Sequence, residues 1–149
     1  MGRVAVDARA RVKRTMVLLG EMLTNHIQRT KLAGQRLHQR SGRLVASIHP
    51  ETEDNGNVIL TTVGTNVKYA RPHEFGFSSP VTVKAHVRQI KQAFGKPIPA
   101  RAVMVRAHPM HMNISEKRFM RDSLDEFRPK AEERLSKLAQ ELAQEVEIK

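Results

Sequence analysis

A chain of 149 residues with 40% apolar, 28% charged and only 4% aromatic residues suits one modest domain whose core is thin and built from Val, Leu, Ile, Met and Ala. It contains no Cys, no apolar run near the ~20 residues of a membrane span and no secretory pattern at its start. That excludes a disulfide scaffold, thiol catalysis and thiolate metal sites, and predicts a soluble protein made in a cytoplasm. The net charge of +11 divides as +8 over residues 1–50, +4 over 51–112 and −1 over 113–149, which points to a polyanionic neighbour or to an acidic face on a partner.

Residues 1–40 read as a basic helical region. Val12, Met16, Leu19, Leu23 and Ile27 step by four, three, four and four, one stripe on a helical period. Asp7 reads as an N-cap or first-turn acid. Arg9, Arg11, Lys13 and Arg14 then crowd a helix start, where the dipole disfavours positive charge, so they read either as a solvated basic face or as contacts to an anion. Gly34 ends this region.

From Ser41 the period changes. Leu44–His49 and Val58–Val63 are rich in β-branched residues and flank Asn55-Gly56, which predicts an antiparallel pair with its turn at Asn-Gly. Gly64-Thr65-Asn66 reads as a turn. A short helical segment over Val67–Phe75 then ends at Gly76.

After Pro80 the chain repeats itself. Val81-Thr82-Val83-Lys84-Ala85-His86 returns as Val103-Met104-Val105-Arg106-Ala107-His108, a shift of 22 residues. Both copies alternate as strands do, and Gln92–Pro99 between them suits a turn or loop tip. An extended hairpin over 80–108 is expected, with arms of roughly 20–25 Å. Alone it is marginal in water, so it should pack on its own sheet or on a neighbour.

The last part, 113–149, reads as helices. Ser115 is the expected cap of a first one carrying Met120, Leu124 and Phe127. Pro129 opens a second, whose stripe is Ala131, Leu135, Leu138, Leu142 and Val146. The whole is a single α+β domain over 1–149: a long N-terminal helix, an antiparallel β-sheet over 41–112 that includes the extended β-hairpin, and C-terminal amphipathic helices on one face.

No constellation specifies an enzyme. Of seven histidines only His108 and His111 are close, with no carboxylate at ligand spacing, and no phosphate loop or nucleophile motif is present. Neither a cofactor nor a metal is expected. Lys84, Arg88 and Arg106 read as the solvated face of the hairpin or as contacts to DNA or a partner. With so few aromatics, any nucleic-acid contact would go to phosphates, without sequence readout.

Three short motifs in order carry a resemblance: Ser41-Gly42-Arg43-Leu44, Val63-Gly64-Thr65-Asn66, and Tyr69-Ala70-Arg71-Pro72-His73-Glu74-Phe75-Gly76. The sequence over roughly 30–146 resembles the minor tail-component family of long-tailed bacteriophages. That family's C-terminal Pro-Phe-Leu-Arg element is matched by Arg118-Phe119-Met120-Arg121-Asp122-Ser123-Leu124, with Arg118 in place of Pro. The resemblance implies a virion protein of the head–tail neck, assembled in the host cytoplasm. It would be a tail-completion subunit forming a homo-oligomeric ring, a hexamer or dodecamer, around the DNA channel. Its implied partners are a head-completion or connector protein, a tail terminator or tail-tube proteins, and transient non-specific duplex DNA, with no membrane. Ser41, Gly42, Leu44, Gly64, Asn66, Tyr69, Glu74, Phe75, Gly76, Phe119 and Leu124 are its signature positions. Of these, Glu74 is expected to pair with Arg71 or with a neighbouring subunit. Arg9, Arg11, Lys13, Arg14, Lys84, Arg88 and Arg106 are the candidate contacts to the lumen, DNA or a partner. A tail terminator and a sequence-independent DNA-binding protein are the alternatives.

Overall fold

The computed structural model describes residues 2–34, 37 and 41–147; His38, with 35, 36, 39 and 40, lies outside the described residues. In chain order the elements are α1 (Gly2–His26), a π-helical turn (Ile27–Lys31), α2 (Arg43–Ser47), β1 (His49–Asp54), β2 (Ile59–Gly64), α3 (Ala70–Phe75), β3 (Phe77–Val83), β4 (His86–Ala93), β5 (Lys96–Val105), β6 (His108–Ile114) and α4 (Phe119–Glu147). The fold is α+β with antiparallel strands, a long first helix and a long last one. The strands form three two-stranded ladders in place of one sheet. The chain divides into two compact units, one of residues 1–75 with 116–149 and one of residues 76–115.

In the first unit α1 packs on β1, β2 and α4. Its predicted stripe faces inward, with Leu19 and Ile27 buried and Val12, Met16 and Leu23 half-buried. The helix starts at Gly2, so Asp7 is neither cap nor first-turn acid, and the basic cluster sits a full turn or more inside. The helical region closes through the π-helical turn, and Gly34 follows with φ +106°. The core gathers Ile27, Leu32, Ile48, Ala70 and Phe119, with Leu23, Leu44, Val45, Val63 and Met120 packed on it.

Two strand boundaries differ from expectation. Arg43–Ser47 is a helical turn, and the first strand begins at His49, so that His49–Asp54 pairs with Ile59–Gly64 around the predicted Asn-Gly turn. Gly42 at φ +67° supplies the left-handed residue from which α2 starts, a conformation open to Gly and costly to others. Leu44 and Val45 reach the core from that turn, which explains why an apolar run there reads as a strand.

α4 is one helix running through Pro129. An interior proline costs about 3 kcal/mol, and burial of Phe127 before it and Leu138 after it holds the helix together. Ser115 does not cap it. The buried stripe runs Phe119, Ser123, Phe127, while Leu124 is exposed, one position away from that stripe.

The second unit is one long hairpin. Val83 lies opposite His108 and His86 opposite Val105, so the β3–β6 and β4–β5 ladders share a register across a break at Lys84-Ala85 and Arg106-Ala107. The arms 77–93 and 96–114 are roughly 55 and 60 Å long at ~3.3 Å per residue, more than twice the expected length. The 22-residue echo now has a physical account. Val83-Lys84-Ala85-His86 and Val105-Arg106-Ala107-His108 run antiparallel across from each other and make the same local contact twice. In each the His Nδ1 lies 3.0 Å from the carbonyl two residues back, of Lys84 and of Arg106. The tip is the two-residue turn Phe94-Gly95; Pro97 and Pro99 stand in β5, which is an edge strand and tolerates them.

Candidate functional site

The signature around Glu74 builds a clasp on the start of α4. Such a start leaves backbone N–H groups without helical acceptors. Arg118, just before it, cannot cap them with its own side chain and lies at φ +48°. The acceptor comes from α3: Glu74, 5% exposed, takes the Met120 N–H at 2.8 Å on Oε2, and the Arg121 N–H at 3.1 Å and Nε–H at 3.0 Å on Oε1. The Arg121 guanidinium also donates to the Glu74 carbonyl at 3.1 Å and stacks 4.8 Å from the centre of the Phe75 ring. The chain before α4 runs back along α3, with Lys117 N–H donating to the His73 carbonyl at 2.7 Å and Arg118 N–H to the Glu74 carbonyl at 3.3 Å. Glu74 therefore pairs with Arg121, not with Arg71. Proline, locked near φ −65°, could not stand at position 118, where Arg118 holds φ +48°.

Gly64, Asn66, Glu74, Phe75 and Phe119 line one open cleft of about 670 Å³ in the first unit, together with Lys68, Arg71 and Arg121. Tyr69 is 42% exposed at one side and meets His73 edge-on. Gly76 has φ +77° and lets the chain leave α3 for β3 within one residue. Ser41 is exposed in the turn before α2, and Gly42 and Leu44 belong to that turn and the core, so the first motif serves the fold. Leu124, 47% exposed, belongs to neither cleft nor core. Thr65 is a residue the reading of the turn passed over: its hydroxyl meets that of Ser47 at 2.6 Å and accepts the Val67 N–H at 3.2 Å.

The basic start of α1 is largely neutralised within the chain. Arg9 bonds the Asp54 carboxylate and the Gly56 carbonyl, and Lys13 lies 3.8 Å from Asp54. Arg11 reaches Glu141 at 2.9 Å and Glu145 at 2.6 Å on α4. The Arg9 hydrogen bond, then the Gly56 N–H, hold the Asp54 carboxyl below its ordinary range. Arg14 alone of the four is exposed with no ion pair among the described residues. A similar device joins the π-helical turn to α4. Lys31, 6% exposed, binds Glu126 at 2.5 Å and His26 binds its other oxygen at 3.0 Å, and these bonds lower the Glu126 carboxyl, Lys31 first. Lys84, Arg88 and Arg106 are exposed on the hairpin. His108 and His111, three apart on β6, point to opposite faces, and among the described residues no group of three His, Asp or Glu is placed to hold a metal. Among the described residues, no helix is long and apolar enough to cross a membrane.

Compared with known proteins, the chain matches no family model, no curated protein and no solved structure.

Proposed function

We propose that the chain is a structural virion protein of a tailed bacteriophage, a tail-completion subunit that forms a homo-oligomeric ring at the neck around the DNA channel, without catalysis. The observation that carries this reading is the second unit: 40 residues in which no side chain is buried. A two-stranded ribbon with two open edges is marginal in water and is a template for further pairing. Val87, Met104 and Met110 are 59%, 66% and 42% exposed, so these apolar side chains stand largely uncovered. A subunit that is completed only by its neighbours explains such a ribbon. The three family-like motifs support the reading further, because the second and third of them converge on the cleft and clasp.

Light scattering and negative-stain microscopy of the full chain test this. Closed rings of six or twelve copies are expected, and Val87→Ser/Met104→Ser in the ribbon should shift them toward monomer while the helical content stays. A protein that remains a monomer or dimer at all concentrations and binds duplex DNA in that state would be a sequence-independent DNA-binding protein instead.

A further inference from the structure

Within the ring, the DNA contact expected from the basic residues requires a definite surface, and the structure distinguishes between the two candidates. At the start of α1, Arg9, Arg11 and Lys13 already face Asp54, Glu141 and Glu145. The second unit is the opposite case. Residues 76–115 hold six Lys and Arg, at 84, 88, 91, 96, 101 and 106, and three histidines, and not one Asp or Glu. All six cations are exposed. In the β4–β5 ladder Arg88 faces Val103 and Ile90 faces Arg101, so Arg88 and Arg101 are diagonal neighbours on one face, ~7–8 Å apart by the usual ladder spacing. His86 shares that face, and Lys84 and Arg106 stand in the break just beyond it. The opposite face carries Val87, Gln89, Ala102 and Met104, with Lys91 next along it and Lys96 paired with Ala93 near the tip. Six cations thus stand on a ribbon without a carboxylate to offset them, and their mutual repulsion is relieved only by an anion from outside.

We infer that this ribbon, and not α1, is the element that meets double-stranded DNA, through phosphates and without sequence readout. A two-stranded ribbon fits the ~12 Å major groove, and the cationic stretch from Lys84 to the tip runs roughly 36 Å, about one helical turn of duplex. Single strands are disfavoured as ligand because the unit offers only Phe77 and Phe94 as stacking surfaces. The inference takes the origin of the duplex from the proposed ring, but its test does not depend on the ring.

The experiment measures fluorescence anisotropy of a labelled random-sequence duplex of about 30 base pairs with the full chain, over ~50–200 mM salt. Lys84→Gln/Arg88→Gln/Arg101→Gln/Arg106→Gln is compared with the charge-matched Arg14→Gln/Arg29→Gln/Arg43→Gln/Lys130→Gln in the first unit. Circular dichroism checks the fold and light scattering the assembly state of each. The ribbon variant should lose about a hundredfold in affinity at the lowest salt, and its log–log salt slope should shrink by about 3–4, four phosphate contacts at ~0.9 each. The control should lose less than about threefold, a loss small enough to reflect net charge alone. Equal losses in both variants, or no duplex binding by the parent chain at the lowest salt, would overturn the inference. So would displacement of the duplex by polyglutamate or by anionic phospholipid vesicles at equal charge, which would assign the surface to an acidic protein or to a membrane. Rings without the ribbon effect remove the inference alone; the ribbon effect without rings removes the ring reading alone.

Discussion

Glu74→Ala tests the clasp most directly. The substitution removes one acceptor set and leaves three donors behind: the Met120 and Arg121 N–H groups and the Arg121 Nε–H. Loss of an N-cap costs about 0.5–2 kcal/mol, and a hydrogen bond to a charged group about 1.5–3 kcal/mol net. These do not simply add, because Arg121 is 41% exposed and recovers water, and because the buried carboxylate itself is desolvated in the parent chain. A net loss of about 2–4 kcal/mol is expected, which for a chain of this size lowers Tm by about 5–15 °C. Glu74→Gln keeps the volume but turns an amide N–H toward a donor, and should lose about half as much. Urea titration followed at 222 nm gives the free energies, and amide exchange gives the location: Met120 and Arg121 should lose protection before the middle of α4. A loss under about 0.5 kcal/mol for the Ala variant, the size of an ordinary surface substitution, would refute the view that Glu74 caps α4.

Three further outcomes follow from named contacts. Gly20→Ala should destabilise by about 1–3 kcal/mol although alanine is the better helix former, because its Cβ would lie 2.6 Å from Thr61 Cγ2 and 3.0 Å from Pro50 Cβ; urea titration decides the sign. Thr61 cannot swing aside freely, since its hydroxyl bonds the Met16 carbonyl at 3.2 Å and meets the Thr52 hydroxyl at 2.9 Å. The carboxyls of Asp54 and Glu126 titrate lower in the folded chain than in the unfolded one, so their contribution is complete above the ordinary carboxylate pKa of about 4 and fades as pH falls through the folded value. The urea midpoint should hold between about pH 7 and pH 5 and drop below about pH 4, with a smaller drop in Asp54→Asn/Glu126→Gln. Phe94→Asn should make the hairpin more stable, because Phe94 holds φ +49° with its ring fully exposed and Asn tolerates that region better; hydrogen exchange of β4 and β5 should slow.

What the sequence made legible was periodic or punctuated. The α1 stripe, the Asn-Gly turn, the end of α3 at Gly76 and the existence of a long hairpin all follow from spacing or from a residue whose backbone freedom is special. What escaped was set by tertiary partners. Leu44 and Val45 have the composition of a strand, and only the core position they fill shows that they stand on a helical turn. Pro129 looks like a helix start until Phe127 and Leu138 are seen buried on either side of it. The cap of α4 is 45 residues upstream of Phe119, at Glu74. A usable signal existed: Arg118-Phe119-Met120 contains no side chain able to cap, so the helix had to borrow an acceptor. The ladder break at Lys84 and Arg106 was visible only as a repeat, because alternation alone does not separate a continuous strand from one with a gap in its pairing.

Charge counted along the chain misdirects for a related reason. Residues 1–50 carry the largest excess, which draws attention to α1, yet a cation matters to an outside partner only if no inside partner holds it. Three of the four basic residues at the start of α1 face carboxylates 41 or more residues away in sequence, at Asp54, Glu141 and Glu145, so their charge goes into docking α1 on β1 and α4. The hairpin carries a smaller excess but no acid to offset it. Screening by salt then acts differently on the two sets. The ion pairs of α1 are short contacts that survive at moderate ionic strength, whereas repulsion among exposed cations on a ribbon extends over a Debye length of about 8–10 Å and weakens as salt rises. Added salt should therefore firm the ribbon in the free protein while weakening the phosphate contact proposed for it, a pairing of opposite trends that hydrogen exchange of β4 and β5 and duplex anisotropy over the same salt range would read together.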